Sequence, residues 1–115
     1  MIDVGRERFE ELVGDALDGI PAELGALMDN VAVFVEDRSR QRGLLGLYQG
    51  VPLTERDAGY AGMVMPDRIT VYREAICAAC DSEEEVVHQV RVTVVHEVGH
   101  HFGIDDARLH ELGWG

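Results

Sequence analysis

Between Val4 and Leu27 the apolar residues Phe9, Leu12, Val13, Leu17 and Ile20 recur at helical spacing with charged residues between them. That pattern predicts an amphipathic helix with one buried stripe. Pro21 and Gly25 punctuate it, so one helix should run to about Asp18 and a short second one from Pro21 to Met28, proline suiting a first helical turn. VAVFVED, Val31 to Asp37, is β-branched and aromatic, with Asp29 and Asn30 on one side and DRSRQRG on the other. Its unbroken apolar run predicts a central strand covered on both faces. LLGLYQG, Leu44 to Gly50, mixes strand formers with glycines and is followed by Pro52, which suits an edge or bulged strand. RITVYRE, Arg68 to Glu74, alternates Ile69 and Val71 with Thr70 and Tyr72 and predicts a third, half-buried strand that Pro66 opens. Glu55 to Met65 reads as a loop, in which Tyr60 is expected as a surface or core tyrosine rather than an oxyanion donor.

Ser82 followed by three glutamates has the form of a capping box, with Glu85 three residues after the serine and acids at the positive end of the helix dipole. A helix of about twenty residues should start there and stop at Gly103. Val90, Val92 and Val94 alternate with Arg91 and Thr93 as a strand would, but the cap and the spacing of the histidines that follow outweigh that pattern. Val87, Val94, Val98 and Phe102 are the expected core stripe, and DARLHELG, from Asp106 to Gly113, supplies a last short helix. The elements sum to an α+β domain: a small sheet of about three strands packed on one long helix.

Composition narrows what such a domain can do. The 115 residues, 46% of them hydrophobic, are expected to form one domain over 1–115 that buries a core without disulfides or a structural metal. A formal charge of −12, with the ten basic residues all arginine and scattered, argues against a nucleic-acid backbone as partner. MIDVGRERFEEL has no apolar leader core, and no run approaches the ~18 apolar residues of a membrane span. A soluble, cytoplasmic protein is the expectation. Cys77 and Cys80 form a CxxC without a second pair, and the flanking alanines favour a short helix with two small buried thiols over a zinc ribbon or a redox pair.

The chemistry gathers in HEVGHHFGIDD, His96 to Asp106. On a helix that advances ~100° per residue, His96 and His100 project from one face about one pitch apart, within reach of a single cation. Glu97 points roughly 100° away from His96, which suits a general base better than a ligand. Gly103 allows a left-handed residue, so the helix can stop there, and three more residues, spanning at most ~10 Å, bring Asp106 back toward the histidines. Two imidazole nitrogens and one carboxylate oxygen leave the fourth tetrahedral position to water, as catalytic zinc requires. Asp105 or Asp106 could instead cap the final helix. His88, His101 and His110 are expected as surface or supporting residues, with His110 the reserve ligand.

His96, Glu97, His100, Gly103 and Asp106 fill the longer pattern HExxHxxGxxD, and at these residues the chain resembles the zincin metallopeptidases. Metzincins share the spacing, usually with histidine as third ligand, but here no methionine follows Asp106 to make their methionine turn. The chain is more similar to the small bacterial family of minimal zincin-like metallopeptidases, through LLGLYQGVPLTER, RITVYRE, VRVTVVHEVGHHFGIDD and RLHELG, all between Leu44 and Gly113. The resemblance implies a zincin fold and zinc-dependent hydrolysis of a peptide or protein substrate; zincins commonly dock substrate along an edge strand, but Leu44 to Gly50 reads rather as an ordinary hairpin arm. It names neither the substrate nor its binding residues. A non-catalytic zinc-binding interaction module and a zinc hydrolase acting on RNA are the alternatives.

Overall fold

The computed structural model describes residues 1–28, 30–55 and 66–111. In chain order they form helices α1 (Arg6–Asp18) and α2 (Ala22–Gly25), strands β1 (Val31–Glu36) and β2 (Gly46–Gln49), a 3₁₀ turn (Leu53–Glu55), strand β3 (Asp67–Tyr72), and helices α3 (Arg73–Ala78), α4 (Glu83–His101) and α5 (Asp106–Glu111). The architecture is α+β, with α1 and α4 packed together and α4 lying against β2 and β3. Among the described residues no helix is long and apolar enough to cross a membrane. Tyr60 and its expected loop lie outside the described residues, apart from Glu55.

The sheet order is β1-β3-β2, with β1 parallel to β3 and β2 antiparallel to it. This reverses the expected roles of two strands. β1 is an edge, and its apolar run has another cause: Val31, Val33 and Val35 pack on the core, while Phe34 on the opposite face is 42% exposed. The guanidinium of Arg68 covers that ring at 4.2 Å from its centroid and also pairs with Glu36 at 3.2 Å. β3 is the central strand, buried at every residue but Arg68, so Thr70 and Tyr72 are inside rather than on a wet face. A strand paired on both sides is shielded by its neighbours whatever its alternation. β2 is an edge strand, as its glycines predict.

α4 starts where its cap places it. Ser82 Oγ accepts from the Glu85 N–H at 3.1 Å, and Glu85 Oε2 in turn accepts from the Asp81 N–H at 3.2 Å, one residue before the serine itself. The strand-like alternation inside the helix does not interrupt it. Its core stripe is Val86, Val90, Val94 and Val98, an unbroken series four apart; the expected Val87 and Phe102 flank it half-buried. Each of these valines contributes about 1.5–3 kcal/mol by leaving water. They meet Phe9, Leu12, Val13 and Ala16 of α1, Ile69 and Val71 of β3, and Ile76 of α3. Cys77 and Cys80 join that core as free, buried thiols.

Candidate metal centre

The last two turns of α4, its exit and the start of α5 build the site. α4 closes with Gly103 at φ 81°, where the Gly103 N–H donates to the His100 carbonyl at 2.9 Å and the Ile104 N–H to the Gly99 carbonyl at 3.0 Å. Those two bonds make a Schellman motif, which turns the chain back over the helix it has just left. Thr54 packs so closely on Gly103 that a Cβ there would lie 2.1 Å from its Oγ1. Any side chain at this position would meet both that clash and a strained backbone.

The returning chain divides its two aspartates between two tasks. Asp105 caps α5: its Oδ1 accepts from the Arg108 N–H at 2.9 Å. Asp106, the first residue of α5, is left to face α4. Its Oδ1 lies 3.0 Å from His96 Nε2 and 2.7 Å from His100 Nε2, so one carboxylate oxygen meets both imidazoles. The bond from the His100 ring, with the nearby charge of His96, holds the Asp106 carboxyl below its ordinary range. The carboxylate form, which a cation needs, thus persists further into acid than in an ordinary aspartate.

Glu97 stands on the buried side of this cluster. It is 6% exposed, and its Oε1 lies 3.1 Å from His100 Nδ1, the ring nitrogen turned away from Asp106. A Cβ on Gly46 of β2 would come 2.6 Å from the Thr93 methyl and 3.4 Å from Glu97 Oε2, so glycine lets the edge strand lie close on α4 at Thr93, beside the acid. A shallow cavity of about 370 Å³ opens against His100, walled by Tyr48, Pro52 and Thr54 on one side and by Gly103, Ile104 and Asp105 on the other. A hollow of about 410 Å³ beside Ile20, Pro21 and Leu24 lies elsewhere on α4, and none of His96, Glu97, His100 or Asp106 lines it.

The donor set suits a metal ion. Ligand atoms of His96, Glu97 and His100 lie within 4.8 Å of one another, close enough for one ion. Asp106 lies outside that group, but one of its oxygens contacts the same two imidazoles. Tetrahedral zinc with bonds of ~2.0–2.1 Å separates its ligand atoms by roughly 3.3 Å, and the distances of 3.0 and 2.7 Å need only a slight opening to match. Glu97 contacts the outer nitrogen of His100, the one that an ion on Nε2 would leave free.

The other histidines lie apart from this cluster. His88 and His110 are exposed. His101 is wholly buried, with its Nδ1 3.2 Å from Asp67 Oδ2. Sequence reasoning passed over Asp67, and also the paired packing of Gly99 with Leu109 and of Gly46 with Glu97. Only Pro66, marking a strand start, pointed near Asp67; among the described residues its carboxylate's partners lie 16 to 34 residues away along the chain.

A small mixed sheet against a helix that carries two histidines one turn apart, with an acid between them and a glycine turn after them, defines the zincin class. The sequence pattern of the zincin-like metallopeptidases matches residues 28–114, and the chain belongs to that family. The match starts well ahead of Leu44 and takes in β1. No curated protein matches the chain.

Proposed function

We propose that this protein is a zinc-dependent peptidase in which His96, His100 and Asp106 hold the ion and Glu97 is the general base. The observation that carries the reading is the meeting of His96 Nε2 and His100 Nε2 at one oxygen of Asp106, with Glu97 buried beside them. Zinc held there would supply Lewis acidity, acidifying a water and polarising a scissile carbonyl. Glu97 takes a proton from the water as its oxygen bonds to the carbonyl carbon, and returns it to the nitrogen as the carbon–nitrogen bond breaks. Glu97 is buried beside Gly46 and against the His100 ring, which keeps the base close to the residues that would hold the ion. A peptide laid along the edge of β2 would pass Gly46, next to this acid, and the cavity against His100 would take a side chain.

Glu97→Gln separates this reading from a zinc-bearing interaction module. With a mixed peptide library as substrate, the variant should retain one zinc per chain while its rate falls ~10²–10⁴-fold, the usual cost of losing a general base. A zinc-loaded wild type that cleaves no peptide, or equal rates in the two proteins, would overturn the peptidase assignment.

A further inference from the structure

A second polar cluster, built on the buried Asp67 and His101, lies just behind the metal centre, and of its residues the proposed function uses only Tyr48, as a wall of the cavity against His100. Asp67, first residue of the central strand, is 2% exposed. Tyr48 of β2 donates its hydroxyl hydrogen to Asp67 Oδ2. His101 Nδ1 lies 3.2 Å from that same oxygen, and the Val51 N–H donates to Oδ1 at 3.2 Å. The rings of Tyr48 and His101 meet edge to face with centroids 5.9 Å apart. Gly50 lies so tightly over the carboxylate that a Cβ there would come within 2.3 Å of Asp67 Cγ. Among the described residues this carboxylate thus joins the end of the active helix, the edge strand and the segment leaving that strand.

We infer that Asp67 is a positioning residue for the metal centre, an inference that rests on the zinc reading above. Two routes lead from it to the ligands. His101 directly follows His100, so its bond to Asp67 fixes the rotation of the helix turn that aims the His100 ring. Val51 opens the segment that carries Thr54, and Thr54 packs on Gly103, the turn that delivers Asp106. Loss of the carboxylate loosens both routes at once. Groups that orient metal ligands typically hold ~10–100-fold in metal affinity. Asp67 acts one link further out and belongs at the lower end of that range.

The test is zinc affinity, measured by competition with a chromophoric chelator, for wild type, Asp67→Asn, Tyr48→Phe and Ile76→Val. The last is a core truncation on α3 that reports what general loosening does. Asp67→Asn should weaken zinc binding about 10-fold and Tyr48→Phe about threefold, each more than Ile76→Val at a matched loss of melting temperature. Should Asp67→Asn fail to fold, Tyr48→Phe, which removes a single hydroxyl, decides alone. Zinc-binding wild type with both polar variants no weaker than Ile76→Val overturns the positioning role and leaves the peptidase reading standing. A wild type that binds no zinc overturns both.

Discussion

Leu109 packs against Gly99 so closely that a Cβ on the glycine would lie 2.4 Å from Leu109 Cδ2. Leu109 is wholly buried, so it has little room to withdraw. This contact seats α5 on α4, and the first residue of α5, Asp106, faces His96 and His100.

Gly99→Ala should therefore harm the metal centre more than the fold. Overpacking costs about 1–3 kcal/mol, and alanine's better helix propensity returns up to ~1 kcal/mol of it. A modest fall in melting temperature without metal, joined to a larger loss of zinc-dependent stabilisation, is the expected result. Thermal melts with and without zinc check it. An unchanged zinc increment would show that α5 can shift without moving Asp106.

Asp105 and Asp106 should respond differently to substitution. Asp106→Asn removes the charge that meets both imidazoles and should give the largest loss of zinc affinity. Asp105→Asn keeps a good cap and should leave affinity unchanged, whereas Asp105→Ala gives up about 1 kcal/mol of helix cap and should fall between the two by letting the start of α5 fray. Isothermal titration with zinc ranks them. An Asp105→Asn variant as impaired as Asp106→Asn would reassign the ligand.

The two thiols should be inert in the folded protein. Cys77 and Cys80 are buried, and burial raises the Cys80 thiol above its ordinary range, with the charges of Glu85, Cys77 and Asp81 adding to the effect. A thiol with a raised folded value stabilises the fold fully below its unfolded value and loses that contribution as pH climbs through the folded one, so the cost falls on the alkaline side. Ellman's reagent at pH 8 should find almost no reactive thiol in native protein and two after denaturation. Prompt native labelling would contradict the burial of this pair.

Much of the site was legible in the sequence because its signals are short-range. The Ser82 cap, the spacing of His96 and His100 and the left-handed stop at Gly103 each depend on residues within one or two helical turns, where backbone geometry leaves few choices. Strand existence was legible for the same reason, since β-branched runs between turn formers are local. The buried face of α4 was not, because valines at 86, 87, 90, 92, 94, 95 and 98 surround the helix and periodicity alone selects no stripe. Packing against α1 and β3 chose Val86, Val90, Val94 and Val98. Strand order was likewise decided by pairing: an apolar run shows that a strand is covered but not by what, so β1 could pass for the centre while β3 occupied it. The spacing after Gly103 already pointed to Asp106 as the candidate ligand, but which aspartate caps α5 was open until the fold gave that bond to Asp105. Asp67 lay furthest from view, since its partners Tyr48, Val51 and His101 come together only when the sheet has formed and α4 has docked on it.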